Sequence, residues 1–139
     1  MPTYPQSGRC QCDAIQYQVD EPFLFQVQCH CNDCQKYSAT AFGISAFIPQ
    51  TSFHITKGTP KKWSRPADSG GTVDCYFCGE CGNRIYHHNP NKPELIKLKP
   101  GTLDDVSVIQ PQMHVWVRSK QPWVEIPAGV EQHQTQPEF

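Results

Sequence analysis

A chain of 139 residues with a formal net charge of −1 lacks the basic excess of a nucleic-acid binder. Its 37% hydrophobic and 18% charged residues exclude a disordered segment and a membrane protein by composition, and its length suits one domain, expected to span 1–139. Thirteen prolines and nine glycines exclude long helices and favour short strands joined by turns.

Residues 1–15 are polar and carry Cys10 and Cys12 where a signal peptide needs an apolar run, so a cytoplasmic location is expected. No later stretch approaches the ~18 apolar residues of a membrane-spanning helix. Ile15, Tyr17 and Val19 alternate with polar residues and predict a strand. Only residues 32–41 suit a helical turn or two. Phe53 and Ile55 predict a second strand, and Val73, Cys75 and Phe77 a third. Between them, residues 57–71 read as a surface loop in which Lys57, Lys61, Lys62 and Arg65 surround Trp63 on a solvated face. Ile96 and Leu98 alternate with Lys97 and Lys99, and Val115 and Val117 with His114, Trp116 and Arg118, predicting two further strands. Residues 128–139 read as a loose tail. The expected fold class is all-β with little helix.

Eight cysteines at short spacings in a reducing compartment point to metal ligation rather than disulfides. They fall as Cys10-Gln11-Cys12, then Cys29-His30-Cys31-Asn32-Asp33-Cys34, then Cys75 followed by Cys78-Gly79-Glu80-Cys81-Gly82. Zinc bound to thiolates at about 2.3 Å in a tetrahedron sets sulfurs ~3.8 Å apart, a separation that residues two or three apart on a turn can supply. Cys78 and Cys81 form a glycine-flanked knuckle needing two more ligands, and Cys10 with Cys12 is a pair lacking a local complement. Together they make a closed four-thiolate structural site. Cys29, Cys31 and Cys34 remain as an open three-thiolate site of the catalytic kind, expected to hold a second zinc. Three thiolates leave zinc with a net negative charge, which suits the activation of a bound thiol better than that of water.

Cys75 reads either as a buried small hydrophobe on a strand face or as a fourth ligand of the open site. His30, between two ligands, reads as pointing away from the metal. His87, His88 and His114 read as ordinary polar residues, and Trp116 and Trp123 as packing residues.

The order CxC, CHCxxC and FCxxCG resembles the glutathione-dependent formaldehyde-activating (GFA) family, which includes centromere protein V-like proteins. Gln35-Lys36, Phe42, residues 101–105 and residues 114–123 also look like family positions, while Asp13 and Ala39 stand where the family commonly has glycine. The resemblance implies several small curved sheets around a structural zinc, the β-tent. It implies two zinc ions per chain, one on Cys10, Cys12, Cys78 and Cys81 and one on Cys29, Cys31 and Cys34. The implied reaction is carbon–sulfur lyase chemistry joining glutathione, or a similar thiol, reversibly to formaldehyde as S-hydroxymethylglutathione. A small-molecule thiol is thus the expected partner, with neither nucleic acid nor membrane. The other function the resemblance admits is a non-catalytic zinc module that binds a macromolecule.

Overall fold

The computed structural model describes residues 2–67 and 70–137. Short strands dominate: β1 (Gln6–Arg9), β2 (Gln16–Val19), β3 (Phe25–Cys29), β4 (Gly43–Pro49), β5 (Phe53–Lys57), β6 (Lys61–Pro66), β7 (Thr72–Phe77), β8 (Arg84–His88), β9 (Leu95–Leu98), β10 (Met113–Val115) and β11 (Glu131–Gln132). One α-helix among the described residues, α1 (Asn32–Ser38), joins β3 to β4 within the stretch expected to be helical. No helix of the described residues is long and apolar enough to cross a membrane.

Strands β1, β2 and β5 make a three-stranded antiparallel sheet. The other eight run in the order β11-β10-β3-β4-β9-β8-β7-β6, antiparallel except that β10 lies parallel to both β3 and β11. Because side chains alternate across a strand, this register sorts the large sheet into two faces. One row, Tyr76, Tyr86, Leu98 and Ala46, packs toward the small sheet, with Tyr86 ringed against Phe53 at 4.9 Å. Here Tyr17, Val19, Ile48 and Leu98 are each at most 1% exposed. Burying such side chains stabilises by about 1.5–3 kcal/mol each. Gly8 lets β1 cross directly over Tyr17, where an added Cβ would stand 2.6 Å from Tyr17 Cε2. The ring cannot move aside easily, because its hydroxyl bonds Thr102 Oγ1 at 2.7 Å. The opposite row, Trp63, Cys75, His87, Lys97 and Phe47, faces away from that core.

Three expectations change. Residues 57–71 are not all loop: Lys61–Pro66 is β6, the edge of the large sheet, paired with β7. Most of its side chains are exposed on both faces, which erases the alternation that marks a half-buried strand, and Pro66 is tolerated at the end of an edge strand. Residues 68 and 69 of that segment lie outside the described residues. The strand expected through Val117 ends at Val115, because Trp116 takes a left-handed φ of 57° and Val117–Ser119 turns as a 3-10 helix. Within the C-terminal segment, Glu131–Gln132 pairs with β10 and the His133 N–H donates to the His114 carbonyl at 2.9 Å, while residues 138 and 139 lie outside the described residues.

Candidate metal centres and the adjoining cavity

The turn between β1 and β2 presents Cys10 and Cys12. It closes through Cys10 N–H to the Ile15 carbonyl at 3.0 Å and Asp13 N–H to the Cys10 carbonyl at 3.1 Å. Asp13 takes the left-handed φ of 67° that the turn requires, a conformation aspartate adopts more readily than most residues. The turn between β7 and β8 presents Cys78 and Cys81, with Gly82 at φ 79° and its N–H on the Cys78 carbonyl at 2.9 Å. The four sulfurs all lie within 4.8 Å of one another, with Cys10 to Cys12 and Cys12 to Cys78 each at 3.7 Å. That matches the ~3.8 Å of a tetrahedral zinc–thiolate set. Backbone N–H groups of Ile15, Glu80 and Cys81 approach Cys10 and Cys78 at 3.3–3.5 Å, placing donors where thiolate charge would sit. The group therefore fits a metal ion, and it ties the small sheet to the large one. Cys10 and Cys78 belong to the main core, and Cys12 and Cys81 are exposed.

The second group forms where β3 runs into α1. Cys29 ends the strand, Cys31 caps the helix with its sulfur 3.3 Å from the Cys34 N–H, and Cys34 lies one turn in. Their sulfurs lie within 4.8 Å of one another, and no fourth His, Cys, Asp or Glu atom among the described residues joins them. This set too fits a metal, with one position of a tetrahedron left over. Hydrogen bonds from the Cys29 and Cys31 thiols pull the Cys34 thiol down, and the same sharing, with burial, pushes Cys29 up, so negative charge settles first on Cys34. Gln35 holds the loop from behind, donating to the carbonyls of His30 at 2.8 Å and Ser119 at 2.9 Å. Between the ligands, His30 turns inward and pairs with His114 at 2.9 Å, Nε2 to Nδ1. Burial lowers both, His30 to about 4, so the pair is neutral. Cys75 is fully buried, directs its thiol to the Val73 carbonyl at 3.8 Å and belongs to neither group.

Ala39 ends α1 in the left-handed conformation, φ 57°, that glycine fills without strain. Ala39→Gly is expected to stabilise the chain by about 0.5–1 kcal/mol, since relief of the left-handed strain outweighs the entropy that glycine adds to the unfolded chain. Chemical denaturation of the metal-loaded protein checks it. An unchanged or lower midpoint would show that the helix end already relaxes.

The three-cysteine group opens onto a cavity of about 720 Å³ on the outer face of the large sheet. Tyr37, on α1, bridges the two: Lys99 Nζ donates to its hydroxyl at 2.5 Å and to Ser45 Oγ at 2.8 Å. Burial pushes Lys99 down to about 8, against the upward pull of the Cys34 thiolate. Burial, then the Cys34 charge, raises Tyr37 well above the ordinary phenol range. Gly43 makes room for this contact, because a Cβ there would collide with the Tyr37 hydroxyl. Tyr37, Ser45, His87, Lys97 and Lys99 all line the cavity and were absent from the sequence-based site. One signal was legible: a strand whose second face carries Lys97 and Lys99 opposite Ile96 and Leu98.

The family model described as "Glutathione-dependent formaldehyde-activating enzyme" matches residues 5–119, which include both cysteine groups. A Halomonas elongata protein named "Putative glutathione-dependent formaldehyde-activating enzyme" is 23% identical over 124 residues, covering 86% of this chain and 79% of that one. A crystal structure of a Rhodobacter sphaeroides protein shares the fold at a TM-score of 0.57 and 20% identity, over 76% of this chain and 91% of that one. With the family model covering most of the chain and both cysteine groups, the chain belongs to the glutathione-dependent formaldehyde-activating enzyme family.

Proposed function

We propose that the chain is a single-domain, zinc-dependent enzyme of the carbon–sulfur lyase type. It joins glutathione or a similar thiol reversibly to formaldehyde or a similar carbonyl. Cys10, Cys12, Cys78 and Cys81 hold a structural zinc, and Cys29, Cys31 and Cys34 hold the zinc at which the thiol is taken up. One observation carries the reading: three converging sulfurs without a fourth ligand open onto a cavity large enough for a small molecule. Zinc in that place supplies the charge that lowers the pKa of a coordinated thiol, so that its sulfur is a thiolate at neutral pH.

The chain's own residues do the rest. Cys29, Cys31 and Cys34 fix the place of the incoming sulfur at the cavity mouth. Lys99, two of whose protons go to Tyr37 and Ser45, keeps its third N–H for an oxygen in the cavity. That donor meets the negative charge that grows on the carbonyl oxygen as the carbon–sulfur bond forms. Atoms balance without an outside reagent: the proton lost by the thiol is the one the oxygen gains.

The experiment is exchange spectroscopy with carbon-13 formaldehyde and glutathione, following the hydroxymethyl signal. The metal-loaded chain is expected to raise the exchange rate above the protein-free rate by at least about tenfold, the low end of what positioning and charge stabilisation supply. Cys31→Ser should return it to the protein-free value. Exchange at the protein-free rate with fully loaded wild type would remove the lyase reading.

A further inference from the structure

The outer face of the large sheet holds more positive charge than the three-cysteine group accounts for. Arg65, Lys97 and Lys99 line the cavity, and Asp33 is the one carboxylate among the described residues that does so. Asp33 engages Arg65 through Nη1 at 3.3 Å. The partners of Lys99 are the uncharged Tyr37 and Ser45. Lys97 makes no ion pair among the described residues; its ammonium lies 5.5 Å from the Phe47 ring centre. A divalent metal on three thiolates contributes a single negative charge, which leaves the cavity positive.

Two polar atoms on the same wall lack partners. His87 is only 3% exposed, and its Nε2 makes no hydrogen bond within the protein among the described residues; Arg65 Nε is likewise buried and unpaired. Burial, then the charges of Lys99 and Arg65, holds His87 far below its ordinary pKa, so its ring is neutral and Nε2–H can be a donor in the corresponding tautomer. Buried donors without protein acceptors are uncommon in folded proteins, and each can donate to an acceptor oxygen that reaches it. The register explains why they converge. His87 and Lys97 are directly paired across β8 and β9, and Arg65, on β6, looks onto the same face.

We propose that Lys97, Arg65 and His87 form a carboxylate-binding subsite that makes the cavity selective for a thiol bearing a carboxylate on the same molecule. The proposal rests on the reading that Cys29, Cys31 and Cys34 position a substrate thiol, and it adds the second point of attachment. Two anchors fix the orientation of a flexible molecule, sulfur at the cysteine group and carboxylate on the basic wall. A charge-assisted hydrogen bond to Lys97 then distinguishes an acidic thiol from a neutral one of similar size.

S-methylglutathione separates the two anchors, since it keeps both carboxylates of glutathione and has no free thiol. Isothermal titration of the zinc-loaded protein is expected to show it binding to wild type. Lys97→Gln should bind about tenfold more weakly, the loss of one charge-assisted hydrogen bond. Lys97→Arg should restore binding, and Lys62→Gln, which removes a charge from the other face of the sheet, should change nothing. The cobalt-loaded protein should respond to 2-mercaptoethanol equally in wild type and Lys97→Gln. If S-methylglutathione does not bind wild type, or binds Lys97→Gln as tightly, the cations only balance the thiolate centre and the subsite is overturned. If S-methylglutathione behaves as expected while 2-mercaptoethanol leaves the cobalt spectrum unchanged, the subsite stands and the thiol-uptake reading fails instead.

Discussion

Cys78→Ser is expected to abolish the cooperative thermal transition of the chain, whereas Cys31→Ser should melt within a few degrees of wild type. The difference follows from where the two cysteine groups sit. Cys10 and Cys78 are each 1% exposed and share the main core with Tyr17, Ile48 and Leu98. Their group ties the β1–β2 turn of the small sheet to the β7–β8 turn of the large one. A metal there contributes an apparent ~10–16 kcal/mol in zinc peptides, comparable with the whole net stability of a domain, ~5–15 kcal/mol. Replacing one thiolate removes that contribution and leaves three buried or clustered sulfurs without a charge partner. Cys29 and Cys34 belong instead to a small separate cluster with Val115, at the junction of β3 and α1. Its loss loosens one helix and one cavity wall. Calorimetry together with elemental analysis decides the matter: wild type should hold about two zinc ions per chain and Cys31→Ser about one. Equal melting curves for the two variants would show that the four-cysteine group is not what holds the sheets together.

The parts of this architecture that were legible in the sequence are those set by local chemistry. Chelation needs sulfurs a few ångströms apart, so close cysteine spacing announces a site before any fold is known, and assigning the distant pair Cys10 and Cys12 to the knuckle needed only a count of ligands. Strands that bury one face, such as β2, β7 and β9, wrote their alternation into the chain. Strand β4 did not, because five of the seven residues in Gly43–Pro49 are buried, four of them in a row, and the period disappears. Strand β6 did not for the opposite reason, since almost none of it is buried. Lys97 and Lys99 mark the deeper limit. Their alternation with Ile96 and Leu98 was plain, but alternation says only that the two faces differ, not that the polar face looks into a cavity. Only the pairing of His87 with Lys97, and of β9 with β4, turns that face toward the cysteines.

Glutathione added to the cobalt(II)-substituted chain is expected to strengthen the sulfur-to-cobalt charge-transfer band, because the three-cysteine group offers three sulfurs where a tetrahedral ion takes four ligands. The same thiol, binding the folded chain alone, should raise its melting temperature in proportion to the logarithm of its concentration. Cys31→Ser should lose the spectral response, since two thiolates no longer hold the metal at the cavity mouth. Cys75→Ser should keep it. Its sulfur is fully buried against the Val73 carbonyl and stands outside the group, so it has no part in closing the site. The two variants therefore read the coordination sphere from opposite sides. A silent wild type with a responsive Cys75→Ser would mean that Cys75 moves in to complete four thiolates when metal is present. The centre would then be closed like the structural one, thiol activation would have no place to occur, and a zinc module that binds a macromolecule would become the better account of the chain.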